Sequence, residues 1–314
     1  MTPNLASAIT KAATKQTWYT IRFLVDRPRV NDAYRAYAYF RWVDDILDDA
    51  TSSGPAEREE ERAVRLRFLA RQQELLNACL GGHEPAVADP HEAMLVELVR
   101  SAGATDERLD AYLRHMMLVM DFDAGRRGRL VTGQELDNYT RWLAIAVTEA
   151  MHYFIGHDTA SPRDETRYLA VSGAHVVHML RDTYADVRAG YFNVPREVLE
   201  ASSIGPDDIR CDAYRRWVKD RARLGRAYLD AGKGYFRRVE SRRHRLAGLA
   251  YIARFEWVLD ALEHDHFTVR QEYAQPRSVA TAVRMAAGIL PSLVLPRSHG
   301  RAPDPVTSTR DGRA

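Results

Sequence analysis

Cysteine is nearly absent from this chain: Cys79 and Cys211 are its only two in 314 residues. They lie far apart and outside any metal-ligand spacing, which leaves a disulfide unmotivated, excludes a cysteine-rich metal site, and fits two unpaired thiols in a reducing cytoplasm. Charge of one sign is also lacking. Lys+Arg 45 against Asp+Glu 43 leaves a net charge of +2, so the totals carry no nucleic-acid footprint. No apolar run reaches the roughly 18 residues of a transmembrane helix. The N-terminal segment MTPNLASAITKAATKQTWYTIRFLV lacks the layout of a signal peptide, and a cytoplasmic protein is expected. No segment alternates apolar and polar residues between hairpin turns, and no repeat of fixed period occurs.

Helical periodicity is what remains, and it predicts an all-α chain. The expected helices cover 5–25, 32–49, 57–80, 91–103, 106–124, 133–157, 164–189, 207–239, 242–264 and 266–290. Their breaks fall at Asp26-Arg27-Pro28, Ser52-Ser53-Gly54-Pro55, Gly81-Gly82, Gly156 with Ser161-Pro162, and Gly190 to Pro195. One domain is expected over 1–296, with a polar, disordered tail over 297–314. The apolar stretch GILPSLVLP is too short to span a bilayer and is expected to dock onto the protein, with peripheral contact with a membrane surface as the other use.

Within this helical chain two segments stand out, RWVDDILDD with Asp44 and Asp48, and MLRDTYADVRAG with Asp182 and Asp186. Each pair is four residues apart in what reads as a buried helix, although Asp is a mediocre helix former and like charges at that spacing repel. Asp45 and Asp49 add carboxylates to the first segment, while Tyr37, Tyr39, Phe40, Trp42, Val43, Ile46 and Leu47 keep it apolar. A solvated acidic patch neutralised by Arg41 and Arg181 accounts for one such pair; two pairs, each preceded by an Arg, point to function. Carboxylates held in an apolar setting need cations, and Mg²⁺ bridging to substrate phosphates suits them. Facing each other across a bundle, two such helices surround a cavity fit to bind a diphosphate and ionise an allylic carbon–oxygen bond.

The same residues resemble the squalene/phytoene synthase family, whose members show YAxCRxxDDxxD early and LRDxxEDxxxGxxYLP later. Here the text runs Tyr37-Ala38-Tyr39-Phe40-Arg41-Trp42-Val43-Asp44-Asp45-Ile46-Leu47-Asp48, then Leu180-Arg181-Asp182-Thr183-Tyr184-Ala185-Asp186 on to Gly190 and Pro195. The resemblance extends from Thr17-Trp18, where the family has Ser-Phe, to Phe267 through Arg270. It implies an isoprenoid-synthase-like helical bundle, Mg²⁺ as cofactor, and a prenyl diphosphate substrate. It carries Asp44, Asp48, Asp182 and Asp186, with Asp45 beside them, as metal ligands, and Arg41 and Arg181 as diphosphate contacts. Thr17, Trp18, Tyr37 and Tyr139 fall among the expected substrate-binding positions.

Departures from the pattern bear on the second substrate. One turn before the second motif the family shows Gln and Asn, whereas this chain has His175 and His178, on one face with Asp182. These serve as a base or acceptor-orienting group, as diphosphate contacts, or as core histidines. Where small family residues let a prenyl chain run along a helix, Ile145 and Thr148 stand here with Trp142 close by, which shortens or fills that tunnel. Asn193 replaces a tyrosine before Pro195, and Phe255 replaces another. Some relatives prenylate carbazole-type aromatics, and these changes fit that branch. Transfer of a short prenyl group to a small aromatic acceptor is therefore expected, with head-to-head coupling of two prenyl diphosphates as the rival and a non-catalytic binding protein as the alternative of another class. Tyr153, Phe154 and Tyr251 join Tyr139 and Trp142 as pocket or core aromatics, His157-Asp158 is a weak match to a hydrolase dyad, and His264 and His266 have no assigned role.

Overall fold

A computed structural model describes residues 3–48, 55–103 and 106–273, all within one compact unit, Met1–Arg277. Among the described residues there are twelve α-helices and no strand. They are α1 (Pro3–Ala13), α2 (Lys15–Leu24), α3 (Val30–Asp48), α4 (Pro55–Leu80), α5 (Pro90–Ala102), α6 (Glu107–Arg126), α7 (Gly133–Phe154), α8 (Leu169–Arg181), α9 (Thr183–Ala189), α10 (Arg196–Ser202), α11 (Asp212–Arg238) and α12 (Arg242–His264). Asp49, the GILPSLVLP stretch, the tail over 297–314 and most of the helix expected over 266–290 lie outside the described residues, and residues 266–273 are not helical.

Local chemistry sets many of the boundaries. Thr132 and Glu135 form a capping box at the start of α7, each satisfying a backbone N–H that the first turn leaves open. Asp89, Asp106 and Ser241 cap α5, α6 and α12 in the same sense. The free thiol of Cys211 accepts from Tyr214 N–H at the start of α11.

Two expected helices divide and a third shifts. The segment over 5–25 breaks at Thr14, which caps α2 with its side chain. The segment over 164–189 becomes a 3₁₀ turn, Glu165–Tyr168, followed by α8 and α9. Their joint is Asp182 itself, with φ −95° and ψ 6°. Beyond it the Thr183 hydroxyl donates back to the carbonyls of Met179 and Leu180, at 3.1 and 3.0 Å, a bond that competes with the helix ladder and bends it. The segment over 207–239 starts later, at Asp212, and a short helix, α10, precedes it.

α8 is the centre of one half of the unit. Every residue from Ala170 to Val177 is buried, and α7, α11 and α12 pack around it. Glycines permit its close crossing with α11: a Cβ on Gly173 would meet the Gly225 carbonyl oxygen at 3.0 Å, and one on Gly232 would meet Ala170 at 2.6 Å. In the other half, Val43 and Leu47 of α3, Leu69 and Leu76 of α4, Leu95 and Leu98 of α5 and Leu113 of α6 share one apolar cluster. Fully burying each such side chain is worth about 1.5–3 kcal/mol. Tyr39 enters this cluster with its hydroxyl bonded to Gln72, and Gln72 in turn donates to Glu92, so its polar end is satisfied where water is absent.

Candidate active site

One face of α3 supplies that core, and the other carries Arg41, Asp44, Asp45 and Asp48 along its last two turns. These acids are less buried than the sequence suggested: Asp44 is half-buried, its side chain 41% exposed, that of Asp45 is 55% exposed, and Asp48 is exposed. They form a rim above the apolar cluster, because a helix that buries Tyr39, Val43 and Leu47 must turn the intervening positions outward. Arg41 pairs with Asp44 at 3.2 Å and with Asp45. The Asp44 carboxyl is nevertheless pushed up to about 6, first by burial and then by the charge of Asp48, against the pull of Arg41.

The second pair straddles the α8–α9 bend. Arg181 forks onto both oxygens of Asp182 at 2.6 and 2.7 Å, and His178 Nε2 lies 2.6 Å from the same carboxylate. Burial alone would raise Asp182; the bonds from Arg181 and His178 outweigh it and hold the carboxyl well below the usual range. Asp186 is pushed up to about 6, by burial and by Asp182, with Asn193, Arg126 and His178 opposing.

Between the pairs runs a connected set that includes residues the sequence reading passed over. Asp123 and Arg126, on the last turn of α6, bond to each other at 2.7 Å. Arg126 also donates to Asn193 at 2.8 Å, and Asn193 donates to Asp186 at 2.7 Å. Tyr139 of α7 donates to Asp123 at 2.8 Å, and the Tyr191 hydroxyl lies 3.5 Å from Asp48. The Arg126 guanidinium stands 4.8, 5.0 and 5.5 Å from the ring centres of Tyr191, Tyr139 and Phe122. Asp123 is raised by burial and by Asp48, despite Arg126. The available signal was VMDFDAGRR, in which an acid and an Arg three residues apart close α6 after the apolar run Met116 to Met120.

His175 is buried, its ring edge-on to Tyr139 at 4.7 Å. Neither ring nitrogen has a hydrogen-bond partner among the described residues. Burial, then His178, Arg126 and Arg221, lower its pKa to about 3, so the ring is neutral. Phe255 of α12 is buried 6.4 Å from the His178 ring, and Tyr37 lies near Arg41, Asp44 and Asp45. Farther along α7, Trp142 and Ile145 are half-buried and Thr148 is buried, with no partner for its hydroxyl among the described residues.

Other sequence candidates sit apart from this set. Thr17 and Trp18 lie on α2, and Trp18 bonds to Ser7 of α1 at 3.0 Å. Tyr153 and Phe154 belong to the apolar cluster of α1 to α6. The ring of His157 bonds to Arg29 at 2.8 Å and to Arg108 at 3.0 Å, and its backbone N–H donates to Asp26. It clamps a corner, while Asp158 is exposed. His264 pairs with its neighbour Asp265.

The sequence profile described as squalene/phytoene synthase matches residues 10–284. The chain belongs to the squalene/phytoene synthase family. No curated protein sequence matches it. Among solved structures it is similar to the squalene synthase HpnC from Alicyclobacillus acidocaldarius, at 19% identity and TM-score 0.66, over 85% of this chain and 95% of that one. A dehydrosqualene synthase in complex with ligand is similar at 16% identity and TM-score 0.68, over 93% and 96%. These likenesses show the isoprenoid-synthase helical fold. Squalene/phytoene synthase family members are prenyl-transferring enzymes, typically dependent on divalent metal for diphosphate ionisation, and this chain is a prenyl-diphosphate-processing synthase of that family.

Its residues fit such a metal. Among the described residues no three His, Cys, Asp or Glu side chains converge to hold an ion unaided. Each aspartate pair instead offers hard oxygen donors, with Asp44 and Asp186 destabilised as bare anions. The remaining positions around a Mg²⁺-sized ion are of the kind filled by water and substrate phosphate. No helix among the described residues is long and apolar enough to cross a membrane.

Proposed function

We propose that this enzyme binds one short allylic prenyl diphosphate, with dimethylallyl as the expected case, and transfers its prenyl group to a small aromatic acceptor of the indole or carbazole type. Asp44, Asp48, Asp182 and Asp186 would hold Mg²⁺, with Asp45 beside them. The ions supply neutralisation of the charge that develops on the leaving diphosphate. Arg41 and Arg181, paired with Asp44, Asp45 and Asp182 in the protein alone, are placed to exchange those carboxylates for diphosphate oxygens. The allylic C–O bond breaks with its electron pair leaving on diphosphate, and the acceptor's π electrons form the new C–C bond. The resulting arenium ion then loses its proton.

His175 is the observation that carries the aromatic reading. Its two ring nitrogens have no partner among the described residues, and an acceptor bearing N–H or O–H would satisfy one of them where a prenyl chain would satisfy neither. Its neutral state is the form that can take up a proton, and an arenium ion is acidic enough that a depressed imidazole pKa suffices. His178, already engaged by Asp182, is the alternative proton acceptor. Half-buried Ile145 and buried Thr148, where small residues are expected, favour a short prenyl chain. Tyr37, Trp142 and Phe255 offer ring surface to the allyl cation; Tyr139 orders Asp123 through its hydroxyl.

Head-to-head condensation of two prenyl diphosphates is a reading that family membership supports equally well. Incubation with Mg²⁺ and dimethylallyl, geranyl, farnesyl or geranylgeranyl diphosphate, with and without indole and carbazole acceptors, separates the two. Prenylated aromatic product supports the proposal. A C30 or C40 hydrocarbon formed from diphosphate alone would sink it.

A further inference from the structure

Residues 1–25 contain no Asp or Glu, but do contain Lys11, Lys15 and Arg22. The fold gathers part of this charge beside bare aromatic surface. Lys15, Tyr19 and Phe23 follow one another at helical spacing on α2 and share a face with Arg22. Tyr19 is 54% and Phe23 68% exposed, and their rings stack at 6.1 Å with 9° between planes. The opposite face is committed to the core through Ile21, with Trp18 packed against it. Among the described residues Tyr19 meets the Trp18 ring edge-on at 5.1 Å, yet both Tyr19 and Phe23 stay largely in water, and exposed apolar surface rimmed by charge marks a contact site.

Next to Phe23 opens a cleft of about 590 Å³ lined by Arg22, Phe23, Val25, Arg27, Val30, Asn31 and Arg243. Three guanidinium groups thus adjoin an apolar wall. Asp26, the acid at this corner, is engaged by Arg243 and by the His157 backbone N–H, so Arg22 and Arg27 set the local sign.

We propose that this face is a docking surface for anionic phospholipid at a bilayer. Tyr19 and Phe23 enter the interfacial layer, where aromatic rings are favoured, and Arg22 and Arg27 hold a lipid phosphate, whose geometry suits guanidinium forks. A cationic face with aromatic residues beside it is the composition that binds anionic leaflets. This inference stands on α2 and its cleft alone and does not depend on the acceptor assigned above.

The test is sedimentation of the full chain with vesicles of phosphatidylcholine, alone or with about 30 per cent phosphatidylglycerol, so that the leaflet carries the negative potential invoked. Wild type is expected to bind the anionic vesicles, and less as salt rises. Arg22→Gln with Arg27→Gln should lower that affinity about 25-fold, at about fivefold per cation. Tyr19→Ser with Phe23→Ser should lower it further, and circular dichroism should be unchanged in both double variants because these side chains are exposed. Equal binding to neutral vesicles, undiminished binding by the arginine variant, or free glycerol phosphate competing as strongly as vesicles would each overturn the proposal. So would a wild-type dimer that the serine variant dissolves without loss of vesicle binding, since the face would then join two copies of the chain.

Discussion

Replacing Arg126 by Met tests whether the set that links the two aspartate pairs is one electrostatic unit. Arg126 is 6% exposed; it bonds to Asp123 and Asn193 and stands against three aromatic rings. Met keeps much of the volume and removes the charge. Asp123 would then retain the Tyr139 hydroxyl as its partner, and Asn193 would lose a donor. Breaking a buried ion pair by deleting one partner costs about 3–5 kcal/mol. Because the Asp123 side chain keeps 28% of its exposure, the low end, about 3 kcal/mol, is expected. Urea denaturation followed by circular dichroism at neutral pH measures it. Asp123→Asn in the Arg126→Met background removes the stranded charge and should recover about 1–2 kcal/mol, a coupling of the size seen within one network. Acidification should narrow the gap between Arg126→Met and wild type, since the variant's native state takes up a proton on Asp123 that its unfolded state releases. A loss below about 1 kcal/mol, or a double variant no more stable than the single one, would refute the reasoning.

Three further outcomes follow from the same structure. Asp44 and Asp186 hold protons up to about 6 in the folded protein, against roughly 3.9 when unfolded; at these two carboxyls the native state therefore binds more protons between these values. Without metal, the melting temperature of wild type relative to the Asp44→Asn, Asp186→Asn double variant should fall as pH rises through that window, a difference in which the buried histidines common to both cancel, and Mg²⁺ with inorganic diphosphate should oppose the fall. A wild-type melting temperature that gains on the double variant through the window without metal would contradict the assignment. On α11, a Gly232→Ala methyl would press on Ala170 backbone atoms at 2.7 and 2.9 Å, while nothing lies within 4 Å of the corresponding point on Gly234. Gly232→Ala should cost about 3 kcal/mol and Gly234→Ala gain about 0.5–1 kcal/mol from helix propensity, so a shared sign in denaturation would count against the packing described. Ile145→Gly should raise the kcat/KM ratio for geranylgeranyl over dimethylallyl diphosphate at least about tenfold, the discrimination a few methylenes allow; an unchanged ratio would mean that position 145 does not bound the prenyl chain.

The all-α class and most helix positions were legible because they depend on period and on local breakers, as at Gly81-Gly82. The aspartate motifs were legible because carboxylates are costly in apolar helices. Their surroundings were less so. That Asp182 stands at a bend depends on where the Thr183 hydroxyl finds its carbonyls, and that Asp44 sits at a rim depends on which face of α3 the other helices cover. Asp123 and Arg126 went unnoticed because an acid and an Arg one turn apart look like an ordinary helix-surface pair. Their meaning comes from Asp48, Asn193 and Tyr139, which are brought to them from other elements. His175 was visible as a departure from a family pattern, but its lack of partners is a property of the packed interior.

The central claim, that both aspartate pairs act together on one diphosphate, is tested most directly by calorimetric titration of Mg²⁺ in the presence and absence of inorganic diphosphate. Wild type, Asp44→Asn and Asp186→Asn proteins should be compared. The account predicts that diphosphate strengthens Mg²⁺ binding to wild type and that either single substitution abolishes this synergy. Full synergy retained when one pair is disabled would contradict it.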